Sequence, residues 1–295
     1  MRSATVALVA LLASCGDDSG PPATFHWNVP GRVIPAGQEF YDCFFVHAAT
    51  GGTDANPRGV VKFSYTADSP VVHHIVLFTS NNNERDGSFR QCAIIEGGWD
   101  FRYAGGKQTG ALEMPDGVAT PVKPNEVYVF QFHYLNASSS DVTDHSAIDI
   151  TYTKPGESYT IAGLAVGGKL GFTIPATGTP YTIDAACTMV GGTSHIFAIW
   201  PHMHQIGTHF ATNIVQNGVT TTPIDEDWTF GDQALWVYPA DRQFVMNSGD
   251  EVLTHCTYVN NTGAPVDFGE SSTQEMCFNL LYYYPATQVS TFCLH

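Results

Sequence analysis

The sequence predicts an all-β protein made of two tandem antiparallel β-sandwiches of jelly-roll type. Three observations carry that expectation. Short runs rich in Val, Ile, Thr, Tyr and Phe recur along the chain, broken by Gly, Pro, Asn and Asp roughly every 8 to 15 residues. Beyond the first residues, no stretch rich in Ala, Glu, Lys, Leu and Arg repeats at helical spacing. Neither a βαβ alternation nor a glycine-rich phosphate loop occurs. With 295 residues, 43% of them hydrophobic, the chain can bury a sizeable core.

The elements follow in chain order. Met1-Arg2-Ser3 supplies one positive charge, and Ala4 to Ala13 is an apolar run too short to cross a bilayer as a helix. Together they read as a signal peptide over 1–14. Leu12-Ala13-Ser14-Cys15 resembles a bacterial lipoprotein signal, which makes Cys15 the expected lipidation site. A flexible tether over 15–23 follows. The expected location is the bacterial cell envelope, with membrane attachment only through that lipid. Strands are expected at 60–65, 71–79, 127–134, 147–152, 195–200, 209–215, 251–259 and 276–284. A Gly-rich stretch within 154–171, uncharged at its centre, marks a boundary, giving sandwich domains over 24–158 and 159–295. No internal repeat is visible.

Charge narrows the function classes. Asp and Glu number 28 against 12 Lys and Arg, a formal charge of -16. A nucleic-acid binder needs a basic face to neutralise phosphates, so no nucleic-acid partner is expected. Besides Cys15 there are six cysteines: Cys43, Cys92, Cys187, Cys256, Cys277 and Cys293. An even number in an exported chain points to disulfides, though the count leaves their connectivity open. The absence of a CxxC pair argues against structural zinc. Asn136-Ala137-Ser138 and Asn260-Asn261-Thr262 match the glycosylation pattern, a short motif of little weight in a bacterial chain.

The histidines carry the chemistry. Val72-His73-His74-Ile75-Val76-Leu77-Phe78 sets two imidazoles in an apolar strand, and Val129-Phe130-Gln131-Phe132-His133-Tyr134 sets a third in another. Buried imidazoles need hydrogen-bond or metal partners to offset their desolvation. Adjacent residues point to opposite faces of a regular strand. For His73 and His74 to share one ion, the strand must therefore end or distort there. Trp200-Pro201-His202-Met203-His204 is better placed, because positions i and i+2 share a face. Met189, Met246 and Met276 are soft sulfur candidates in the same half. A thioether with imidazoles favours copper, above all Cu(I).

Over residues 25–295 the chain resembles the copper type II, ascorbate-dependent monooxygenases, the family of peptidylglycine alpha-hydroxylating and dopamine beta-monooxygenases. His73-His74 looks like the family's paired-His strand and Gln131-Phe132-His133-Tyr134 its third-His strand. His202-Met203-His204 looks like its His-x-His segment, and Ser271-Ser272-Thr273-Gln274-Glu275-Met276-Cys277 the stretch with its methionine ligand. The resemblance implies two copper ions facing each other across a solvent-filled cleft. His73, His74 and His133 would hold an electron-transfer copper. His202, His204 and Met276 would hold the catalytic copper that meets dioxygen and a small-molecule substrate, with ascorbate or a similar reductant as co-substrate. It also implies disulfides Cys43–Cys92, Cys187–Cys293 and Cys256–Cys277. The Arg that grips a substrate carboxylate in the peptide-amidating branch is Trp200 here, and two polar positions after the Met-Cys pair are Phe278 and Leu280. A glycine-extended peptide is therefore not the expected substrate. The alternative is a non-catalytic copper-binding or copper-delivery lipoprotein. His195 is a candidate supporting residue, and His26, His47, His145, His209, His255 and His295 are read as structural. Arg242 is read as a surface ion-pair residue.

Overall fold

A computed structural model describes residues 23–47, 50, 52–53, 55–106, 109–124 and 126–294. The expected signal peptide, Cys15, the tether up to residue 22 and His295 lie outside them. Among the described residues the fold is all-β apart from the single 3-10 turn Ala240–Arg242, which carries the exposed Arg242. No helix among them is long and apolar enough to cross a membrane.

Four main sheets make up the molecule. The first runs Thr24–Asn28, Ala147–Tyr152, Arg58–Thr66, Val118–Val122, Thr160–Ile161, with Thr109–Glu113 also paired to Arg58–Thr66. The second runs Phe89–Gln91, Glu39–His47, Val127–Leu135, Val72–Ser80, Trp99–Gly105. The third runs Trp236–Val237, Ser194–His202, Cys277–Tyr284, Gly163–Lys169, Ser290–Leu294. The fourth runs Pro180–Thr188, Glu251–Val259, Gly207–Gln216, Val219–Asp227. Pairing is antiparallel except for two short edge strands: Thr160–Ile161 lies parallel to Val118–Val122, and Ser290–Leu294 parallel to Gly163–Lys169.

Side-chain alternation explains how the sheets stack. Along Val127–Leu135, Tyr128, Phe130 and Phe132 meet Phe25 and Trp27 of the first sheet, so Gln131 and His133 project from the opposite face. Along Cys277–Tyr284, Leu281 joins the core shared with the fourth sheet, whereas Leu280 and Tyr282 join the core of the first two sheets. Trp200, Leu164 and Val166 do the same from neighbouring strands. The third sheet thus has an apolar face on each side, and one continuous cluster runs from the first sandwich into the second. Both sheets meeting at this interface are covered on two sides. That is why Val127–Leu135 is buried at eight of its nine positions and reads as an unbroken apolar run.

Among the described residues the disulfides are Cys43–Cys92, Cys187–Cys293 and Cys256–Cys277, the pairs that the resemblance implies. The two Asn-x-Ser/Thr motifs turn out to be equivalent turns in the two sandwiches. Asn136 follows Val127–Leu135 and Asn260 follows Glu251–Val259; each is 1% exposed. Asn136 Nδ2 donates to the carbonyls of Ile34 and Ser140, while its Oδ1 accepts from Ser138. Asn260 Nδ2 donates to those of Ile174 and Ala264, and its Oδ1 accepts from Thr262. Both amides are structural turn elements, and they expose a repeat that the sequence hides.

Candidate metal centre

The strand distortion that the adjacent histidines require is present. Val127–Leu135 pairs His133 with His74 but Tyr134 with Val72, so the register shifts and His73 is left over as a bulge. A bulge places two residues of one strand opposite one of its partner and re-aims a side chain. His73 thereby joins the face of His74 and His133. One possible ligand atom from each of the three lies within 4.8 Å of the others. His73 Nδ1 and His74 Nδ1 are 3.2 Å apart, near the roughly 3 Å that separates two nitrogens each about 2.0 Å from one ion.

Hydrogen bonds fix which nitrogen four of the five rings offer. His73 Nε2 donates to the Phe230 carbonyl at 3.1 Å, and its ring stacks on Phe230 at 4.0 Å. His133 Nε2 donates to Glu39 Oε1 at 2.9 Å, while its buried Nδ1 has no partner. Tyr41 stacks on the His133 ring at 4.2 Å. In the other sandwich the tautomers are reversed. His202 Nδ1 donates to Gln233 Oε1 at 2.8 Å and His204 Nδ1 to the Gln274 carbonyl at 3.1 Å, leaving buried His204 Nε2 without a partner. The His202 and His204 rings are 5.1 Å apart, and Trp200 stacks on His202 at 5.0 Å. An imidazole anchored through one nitrogen and bare at the other is the arrangement of a metal ligand.

Charge agrees with metal-ready neutral rings. Burial, then the neighbouring His133, pushes His73 down to about 4. Burial also brings His204 to about 4 and holds His74 and His202 well below the ordinary imidazole value. Two carboxylates organise the surroundings. Burial acts to raise Glu39, but hydrogen bonds from His133 and Ser272 overcome it and hold the carboxyl at about 2. Glu39 also accepts from the Ser272 amide at 2.7 Å, so it ties the first sandwich to the loop before Met276. Glu275 is fully buried and is raised by that burial to about 7, against backbone N–H bonds from His204 and Ile206 at 2.8 Å and from Met276. Spacing could not reveal Glu39, whose partners lie 94 and 233 residues away. Glu275 had a local signal, an acid set directly beside the candidate sulfur.

The solvent-filled cleft is not what the structure contains. The His74 and His202 rings lie 5.2 Å apart, because the apolar faces of the second and third sheets merge into one cluster. Ala104 N–H donates to the Tyr282 hydroxyl across the junction at 3.0 Å. Between the sheets remains a cavity of about 40 Å³ lined by His74, His202, Met276, Gln131 and nine apolar or aromatic side chains. Met276, 2% exposed, shares this wall with His202. Met189 and Met246 instead belong to the core of the second sandwich. His195 stacks on Tyr284 at the far end of its strand and is structural. His209 and His255 pair with surface Asp225 and Asp184.

The donor set fits copper: neutral imidazoles in two groups, with a thioether beside the second. Residues 161–295 match the family model for the C-terminal domain of copper type II ascorbate-dependent monooxygenases. Peptidyl-glycine alpha-amidating monooxygenase B of Xenopus laevis is 24% identical over 79% of this chain and 27% of its own length. The human DBH-like monooxygenase protein 1 is 26% identical over 73% of this chain and 39% of its own. The rat peptidylglycine alpha-amidating monooxygenase is 25% identical over 87% of this chain and 26% of its own. The chain thus spans well under half the length of these relatives. The chain is thus similar over residues 161–295 to the C-terminal domain of the copper type II, ascorbate-dependent monooxygenases, and relatives named as monooxygenases align along most of its length.

Proposed function

We propose that this protein hydroxylates a C–H bond of a small organic molecule, with dioxygen as oxidant and an ascorbate-type reductant. In the balanced reaction, one oxygen atom enters the C–H bond as a hydroxyl and the other leaves as water. The reductant supplies two electrons, and two protons are taken up. His73, His74 and His133 would hold the copper that passes electrons. His202, His204 and Met276 would hold the one that meets dioxygen and substrate. Copper bound there supplies one-electron redox steps and reaction with dioxygen; the protein supplies placement. Glu39 and the Phe230 carbonyl hold the first group's rings, Gln233 and the Gln274 carbonyl those of the second. The apolar cavity wall keeps water from the reacting carbon.

One observation carries this reading. Five imidazoles converge between two sheets beside an apolar cavity, four of them with one ring nitrogen anchored to a hydrogen-bond acceptor. A terminal carboxylate finds no guanidinium in the cavity wall, and the Trp200 Nε1–H is already given to the Gln233 carbonyl at 3.1 Å. The proposal extends to an exported chain lipidated at Cys15 in a bacterial envelope, with its two sandwiches as domains over 24–158 and 159–295. The test is metal analysis after copper loading and desalting, together with oxygen uptake and product analysis under ascorbate. Two coppers per chain and a hydroxylated product are expected. Copper binding with oxygen uptake never coupled to a product across a broad panel would favour a copper carrier instead.

A further inference from the structure

The second sandwich has a cavity of about 200 Å³ at its open side, between the edge strands Trp236–Val237 of the third sheet and Val219–Asp227 of the fourth. We infer that this cavity binds a small organic cation, a methylated ammonium with a short apolar body, held against two indoles and one carboxylate. The inference goes beyond the proposed function, because the cavity lies on the other face of Ser194–His202 from the histidine groups. Pro201 lines it, whereas Trp200 and His202 line the cavity beside Met276.

Strand alternation decides which side chains face inward. In the ladder between the two outer strands of the fourth sheet, His209 is opposite Asp227 and Phe210 is opposite Glu226. His209, Asp225 and Asp227 meet on the outer face, with His209 Nε2 2.8 Å from Asp225 and Nδ1 3.3 Å from Asp227. Glu226 therefore shares the inner face with Phe210 and Ile224, which are 1% and 2% exposed and form the cavity floor. On the facing sheet Trp236 pairs with Ile199 of the same core, so its indole points inward as well. Trp228 completes the wall, its Nε1–H given to the His204 carbonyl at 3.1 Å.

The chemistry of this wall selects a cation. An indole presents a negative face that attracts positive charge within about 6 Å of the ring. Among the described residues no Lys, Arg or His lines the cavity, and none pairs with the Glu226 carboxylate. Glu226 is exposed, so the charge stands at the mouth and the apolar surface at the floor. A methylated ammonium satisfies both at once, because its charge is carried on apolar groups and little hydration is lost on entry. The formal charge of -16 draws cations toward the protein. The volume lies below the roughly 300 to 1,000 Å³ of sites for drug-sized ligands, which keeps the ligand small.

The experiment measures binding to the copper-loaded protein by calorimetry at fixed ionic strength, so that it does not depend on turnover. The probes are choline, its uncharged carbon isostere neohexyl alcohol, and pivalate. Choline should bind about tenfold more tightly than the alcohol, and pivalate more weakly than either. Glu226→Gln should weaken choline about fivefold and leave the alcohol unchanged. Asp225→Asn removes the same charge from the outer face and should leave both unchanged. Trp236→Leu should bring choline and the alcohol to within about twofold of each other. Equal affinities for choline and the alcohol in wild type, failure of choline to bind, or equal weakening by Glu226→Gln and Asp225→Asn overturns the inference. If Trp236→Leu does not fold, the comparison of the two exposed acids decides alone.

Discussion

The two histidine groups arrive at the same interface by opposite means. The second comes from the end of the strand Ser194–His202 and the two residues that follow it, and its outer nitrogens are held by Gln233 and the Gln274 carbonyl of its own sandwich. The first depends on a bulge, and its outer contacts reach across the junction. His73 is anchored on the Phe230 carbonyl, His133 on Glu39, and Glu39 in turn on Ser272. Tyr41, stacked on His133, donates to the Glu270 carbonyl at 3.1 Å. One group's anchors are therefore self-contained, and the other's are completed across the junction of the two sandwiches.

The largest expected effect tests the division of labour. Met276→Ile should leave the fold intact, since exchanging apolar side chains of similar volume usually costs less than about 1.5 kcal/mol. Hydroxylation should fall below detection. Normal turnover by this variant would remove Met276 from the catalytic set.

Acid should unfold the copper-free protein through the same rings. His73 and His204 have folded values near 4, against 6.5 when free. The unfolded chain therefore binds more protons between those limits. Stability is fully present above about pH 6.5 and is lost as pH falls toward 4, by roughly 2 to 3 kcal/mol per ring. Denaturant melts across that range check it; a flat profile would mean that the rings are not buried as described.

A smaller effect separates the two anchoring carboxylates. Glu39→Gln should weaken copper at the first site by about tenfold and spare the second, with Glu275→Gln doing the reverse. Site-resolved copper titration distinguishes them, and equal losses at both sites for either variant would erase the contrast. Smallest of all, Ser138→Ala and Thr262→Ala should each cost about 1 kcal/mol, because each removes the same hydrogen bond from equivalent turns. Melting curves that differ widely between the pair would deny the equivalence.

Much of this was legible in the sequence. The strands at 147–152 and 251–259 stand where alternation puts them, and the disulfides pair as the resemblance implies. His202 and His204 were legible from their spacing, although the strand itself ends at His202. What stayed hidden depends on partners distant in the chain. The bulge at His73 is a property of how Val72–Ser80 pairs with Val127–Leu135, and neither strand shows it alone. Glu39 looks like any polar residue at a strand's start until the loop at 270–273 covers it. The merged interface was missed because Leu280, Phe278 and Trp200 read equally well as the core of one sandwich or the lining of a cleft.

The bulge also bears on which changes of chain length the protein can tolerate. Insertions in surface loops such as 81–88 lengthen a connection and leave pairing alone. Between Val72 and His74 there is no such slack, because the surplus residue, His73, is one of the three imidazoles proposed to hold copper. Deleting one residue there would restore an ordinary ladder, and the surviving imidazole pair would become one inward side chain and one outward. Natural variants of this protein should therefore accept substitutions along Val72–Ser80 but hold its residue count fixed.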